Sequence, residues 1–142
     1  MRYNVYQDLE LNMKKTELKN KISKYVMRKV VINSKHGGFG LSDDAVVMYG
    51  WLKGLNLKKV EKEWSFCSHF YIDGIEDDDH YFADDDIERD DPILVGVVTV
   101  LGDKASGRHA KLKIVEIPDD VEYHIEEYDG LEHVAEKHRR WY

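Results

Sequence analysis

The stretch from Lys29 to Ser42, KVVINSKHGGFGLS, limits the fold more than any other part of this chain. Val30, Val31 and Ile32 form an unbroken β-branched run, the composition of a strand covered on both faces. Gly37, Gly38 and Gly40 follow and impose a turn, because glycine enters the left-handed region without steric cost. Ser42 is placed to cap a helix, its hydroxyl accepting from an amide two or three residues on. Asp43 and Asp44 put negative charge where the helix dipole is positive. The spacing predicts a helix over 43–53, with Ala45, Met48, Tyr49 and Leu52 inward and Gly54 as its stop. A strand, a glycine loop and a helix start is also the arrangement that gathers free amides around an anion. Two readings of the turn therefore stand. In one it is a tight structural hinge with Phe39 plugging the core. In the other it is a ligand contact, in which Lys35, His36, Gly37, Gly38 and the distant Arg89 hold a nucleotide-like anion. Neither GxxxxGK[ST] nor GxGxxG occurs, and Asp43 and Asp44 oppose a phosphate there.

At 142 residues, 42% hydrophobic and 35% charged, the chain suits one folded domain. Residues 1–28 read as an N-terminal extension. Tyr3 and Val5 suggest a short strand, and 14–28 a basic helix with Leu18, Ile22 and Tyr25 or Val26 as its apolar stripe. Residues 29–142 read as a single domain. Short strands are expected near 59–64 and 69–72. Asp91-Pro92 opens a helix, with aspartate as cap and proline at the first position, and Leu94, Val97, Val98 and Leu101 face inward. Residues 111–117 and 121–128 alternate and read as a hairpin, and 131–140 as a closing helix. The expected class is α+β: a small mixed or antiparallel sheet packed by three or four helices.

The formal charge is −7, unevenly spread. Residues 73–91 hold eleven acids against Arg89 alone, a net −10 that leaves +3 for the remainder, while 14–35 carry eight Lys or Arg against Glu17. The acidic segment has three readings: a solvated loop, a hard-oxygen cation site, or a mimic of nucleic-acid phosphates that occupies a basic channel on another protein. Asp77, Asp78, Asp79, Asp84, Asp85 and Asp86 are its candidate partner-binding residues. No EF-hand loop, HExxH or GxSxG is present, so no catalytic set, metal or cofactor is expected. The charged groups Arg89-Asp90-Asp91, Glu126 to Asp129 and Lys137 to Trp141 read either as ion pairs tying the last helix to the sheet or as a polar pocket. The single cysteine, Cys67, has no disulfide partner, and no 18-residue apolar run occurs, which leads to the expectation of a reducing cytosol and no membrane.

Residues 29–46, KVVINSKHGGFGLSDDAV, and 87–142, containing RDDP, LKIVEIPDDVEY, EYDG and EKHRRWY, together resemble a widespread family of small uncharacterised tailed-phage and giant-virus proteins. That family reads KIVIN-x-CYGGFGLS and LKIVEIPDDVEW…EYDG…EKHR-x-W. This chain departs from it in Lys35-His36, where the family has Cys-Tyr, and in the residues before 29. The resemblance implies a viral accessory protein in the host cytoplasm. The expected function is binding that inhibits a host factor or defence system, with a host protein as partner. Direct DNA binding is not expected, and a homo-oligomer stays open. The alternatives are a small hydrolase using the Arg/Asp/His cluster and a structural or assembly protein.

Overall fold

The computed structural model describes residues 27–137 and the single residue Glu17. The first strand, β1 (Met27–Asn33), begins two residues ahead of the expected boundary. Val30 and Val31 are 0% exposed, so each contributes about 1.5–3 kcal/mol of apolar burial. β1 pairs antiparallel with β5 (Leu112–Pro118), placing Val30 opposite Val115 and Val31 opposite Ile114.

Helix α1 (Asp43–Lys53) follows the glycine turn. The Ser42 hydroxyl accepts from the Ala45 amide at 3.2 Å, and Gly54 stops the helix in the left-handed conformation. Its inner face is rotated from the expected one. Ala45, Val46, Tyr49 and Gly50 are buried, while Leu52 is exposed. The cause is Gly50, whose missing side chain lets Leu57 lie directly against the helix. Helix α2 (Pro92–Leu101) starts as expected, the Asp91 carboxylate accepting from the Ile93 amide at 2.8 Å. α1 and α2 pack together through a core that includes Val31, Val46, Tyr49, Leu94, Val97 and Val98.

The second sheet is β2 (Leu57–Val60), β3 (His69–Ile72) and the two-residue β4 (Tyr81–Phe82), in that order and antiparallel. The third is a hairpin of β6 (Tyr123–Tyr128) and β7 (Leu131–Glu136).

The expected class needs correction. The described residues form seven strands in three small antiparallel sheets with two α-helices, a mostly-β domain and not one sheet packed by three or four helices. Residues 131–136 are strand, not helix. Asp129 and Gly130 have φ of 48° and 82°, the signature of the two-residue turn that twists strands into a hairpin. β5 does not pair with β6; its partner is β1, and Arg28 holds the link between them by donating to the carbonyls of Asp119 and Val121 at 3.0 and 2.7 Å. Most of the expected helix over 14–28, and the end of the expected helix over 131–140, lie outside the described residues, but Met27 and Arg28 are strand. No helix among the described residues is long and apolar enough to cross a membrane.

Candidate functional site

The glycine turn lies against other backbone. Gly37 and Gly38 have φ of 125° and 103°. A side chain on Gly37 would meet the His109 carbonyl at 2.5 Å, and one on Gly130 would run into the Gly37 and Gly38 amides. One on Gly107 would meet the Gly40 carbonyl oxygen at 2.9 Å. Three chain segments, around 37–40, 107–109 and 130, therefore converge where no Cβ fits at Gly37, Gly107 or Gly130. Asn33, 0% exposed, fastens them. Its Nδ2 donates to the carbonyls of Lys35 and Gly130, both at 2.6 Å, and its Oδ1 accepts from the Lys111 amide at 2.9 Å. The Gly37 amide donates to the Asp129 carbonyl at 3.2 Å. Amides of the turn that an anion would use are thus partly taken, and the Leu41 amide likewise donates to the Asp84 carboxylate at 2.8 Å. Lys35 and His36 are exposed beside them, His36 lying 3.2 Å from the Asp129 carbonyl and edge-on to Tyr128.

Arg89 reaches the glycine turn, but its charge is already engaged there. Its guanidinium donates to both carboxylate oxygens of Glu132, at 2.7 and 3.0 Å, with the two side chains only 15% and 8% exposed. Its Cζ lies 3.5 Å from the centroid of the Phe39 ring. The same Glu132 carboxylate accepts the Asn33 amide at 2.7 Å. An ion pair does tie this part of the chain to the body, but it joins strand β7 and not the expected closing helix, and it uses Glu132, a residue outside the expected cluster. Among the described residues, Asp90 and Asp91 of that cluster pair elsewhere. Asp90 faces Arg28 at 3.7 Å. Asp91 holds the Lys53 ammonium at 2.9 Å and the Tyr49 hydroxyl at 2.8 Å. Burial pushes the Asp91 carboxyl up, yet the hydrogen bonds from Lys53, Tyr49 and the Ile93 amide outweigh it and hold the group below its ordinary value. His138 is outside the described residues.

The acidic segment is built, not loose. Asp77 caps a single 3₁₀ turn over Asp78–His80, accepting from the His80 amide at 2.9 Å and its ring Nδ1 at 2.6 Å. That bond to His80 is the main cause that lowers the Asp77 pKa. β4 follows, and then a second 3₁₀ turn, Asp84–Asp86. Phe82 and the buried Ile87 anchor the segment to the core. Asp84 accepts the Leu41 amide at 2.8 Å, which locks the segment to the glycine turn. Asp78, Asp79, Asp85 and Asp86 are exposed, and among the described residues their side chains make no hydrogen bond or ion pair. Three lysines are engaged by other acids: Lys62 with Glu76 at 2.6 Å, Lys59 with Asp43 at 2.9 Å and Lys53 with Asp91.

Between the turn and this segment lies an open cleft of about 720 Å³. Its lining includes Asp43, Asp44, Asp84 and Asp85 as well as Arg108 and His109. Among the described residues no three His, Cys, Asp or Glu side chains are grouped to hold a metal ion. Sequence reasoning missed Asn33 and Glu132, the two residues that fasten the turn. The only signal for Asn33 was a polar residue ending a β-branched run. Compared with known proteins, the chain finds no matching family model, no matching curated protein and no matching solved structure.

Proposed function

We propose that this protein acts by binding, presenting a fixed array of carboxylates to a basic surface of a host protein and inhibiting that protein by occupying it. One observation carries the reading: Asp78, Asp79, Asp85 and Asp86 are exposed and have no cationic partner among the described residues, while the backbone beneath them is pinned by two 3₁₀ turns, β4 and the Asp84–Leu41 bond. An array already ordered loses little conformational entropy on binding, so its charge is delivered at fixed spacing. The resemblance to small phage proteins supports a viral accessory role in the host cytoplasm. Capture of a nucleotide-like ligand at the turn is supported less, because Arg89 is engaged by Glu132 and the Gly37 and Leu41 amides already donate to the Asp129 carbonyl and the Asp84 carboxylate. The hydrolase alternative is supported less as well, since Arg89 and Asp91 belong to separate ion pairs.

The test passes host-cell extract over immobilised wild-type protein and a variant carrying Asp78→Asn, Asp79→Asn, Asp85→Asn and Asp86→Asn. All four side chains are exposed, so the fold is retained. Wild type captures a basic partner that the variant loses. Equal capture by both proteins sinks the reading.

A further inference from the structure

Alternation along β3 and β4 sends Phe70 and Phe82 into the core and turns His69, Tyr71 and Tyr81 outward. The outward rings touch in series. Trp64 and His69 have centroids 5.7 Å apart, His69 and Tyr81 6.1 Å, and Tyr81 and Tyr71 5.4 Å. Trp64 is 77% exposed and Tyr81 46%. Two residues beyond Trp64 in the same loop, Phe66 is 99% exposed. Within the ladder the His69 ring also bonds to the Ser65 hydroxyl at 2.9 Å, which holds the Trp64 loop against the sheet, while the Trp64 and Tyr81 rings stay open to solvent.

We propose that this ring ladder is a docking surface for an arginine-rich segment of a partner protein. The proposal rests on the acidic-face reading above and names the partner chemistry that face accepts. Ring faces carry negative quadrupole density and attract cations, tryptophan most strongly. A guanidinium lies flat on such a ring and donates in its own plane to carboxylates beside it, which an ammonium does less well. The carboxylates are present. Tyr81 lines one cleft together with Asp84 and Asp85, and the charges of those two acids, after burial and the Tyr71 hydroxyl, help to push its hydroxyl above its ordinary pKa. Among the described residues the one lysine over these rings, Lys62 at 5.6 Å from the Tyr71 centroid, is paired with Glu76. Charge also decides against nucleic acid. Bases stacked on these rings would bring their phosphates against the acidic rim.

The experiment titrates a fluorescent nona-arginine peptide into the full chain and follows anisotropy. Wild type binds. The Trp64→Ala/Tyr81→Ala variant binds at least about tenfold more weakly, about 1.4 kcal/mol. Trp64→Phe/Tyr81→Phe, which keeps the rings, stays near wild type. Trp51→Ala, at an exposed tryptophan on α1 that lines a different groove, changes nothing. If Tyr81→Ala disturbs the short strand by circular dichroism, Trp64→Ala alone carries the comparison. No binding by wild type, undiminished binding by the ring variant, or equal affinity for nona-lysine overturns the proposal. Binding of oligo-dT that Trp64→Ala weakens overturns it in favour of a base-stacking face. Self-association that Trp64→Ala abolishes overturns it in favour of a second copy. The two readings fail separately. Loss of the peptide in the four-asparagine variant with retention in the ring variant removes the ladder and leaves the acidic face standing, whereas retention in the four-asparagine variant removes the acidic face.

Discussion

Replacing Glu132 by alanine tests the joint that organises the glycine turn. Three donors converge on this carboxylate: both terminal nitrogens of Arg89, at 2.7 and 3.0 Å, and the Asn33 amide at 2.7 Å. With the pair only 15% and 8% exposed, water screens little of the interaction. Removing one partner of a buried ion pair costs about 3–5 kcal/mol, chiefly by stranding the other charge. An orphaned buried amide adds about 1–3 kcal/mol, but the terms share one carboxylate and do not add in full. Glu132→Ala is therefore expected to lower stability by about 4 kcal/mol. Urea unfolding followed by circular dichroism reads this as a lower midpoint at unchanged slope. Glu132→Gln, which keeps an acceptor for the Asn33 amide, loses about half as much. Arg89→Met/Glu132→Leu recovers much of the loss, because two apolar side chains leave no stranded charge. The exposed Glu136 is the control, and its replacement by alanine stays within about 0.5 kcal/mol of wild type. A Glu132→Ala cost within about 1 kcal/mol of that control refutes the joint.

Two further perturbations follow from the same geometry. The folded pKa of Asp91 is lowered, so the unfolded chain binds more protons and stability rises with pH across the window. The stabilisation is present in full above the unfolded carboxylate value of about 3.9 and disappears as pH falls through the lower folded value; Asp91→Asn, which keeps a cap for α2, removes this dependence, and a wild-type and variant difference that persists below that window contradicts it. Gly130→Ala meets both a φ of 82° and the Gly37 and Gly38 backbone, and is expected to cost more than the roughly 1–2 kcal/mol of left-handed strain alone. Gly38→Ala has a similar φ problem but nothing within 4 Å, so equal losses at the two positions in the same urea assay count against the close packing.

What the sequence disclosed was local. The Ser42 and Asp91-Pro92 caps were legible because a cap is settled within four residues, and the buried run at Val30 and Val31 because β-branching and apolarity agree. Residues 131–140 misled because Leu131, Val134 and Ala135 recur at helical spacing over a stretch short enough for either period. The Asp129-Gly130 pair before them was the stronger signal, since this dipeptide supplies the two positive φ values of a hairpin turn. Asn33 and Glu132 are 99 residues apart, and no single sequence states that such residues meet. The glycines show the same limit. Each suggests a turn, but that Gly37, Gly38, Gly107 and Gly130 share one crowded junction follows only from the folded chain. The acidic segment was legible as charge, and its 3₁₀ turns were not, because Asp77 and Asp84 act there as backbone acceptors and not simply as charges.

The central claim is that fixed carboxylates at 78, 79, 85 and 86 supply the binding energy. The measurement that meets it most directly is the dissociation constant of the captured partner, for wild type and for the four-asparagine variant, across a range of ionic strength. Exposed charges are screened within about 10 Å at 0.1 M salt. Wild-type affinity is predicted to fall steeply as salt rises, with the variant weaker at low salt and nearly flat. A wild-type affinity that does not change with salt, or a variant that follows the same steep line, contradicts the account.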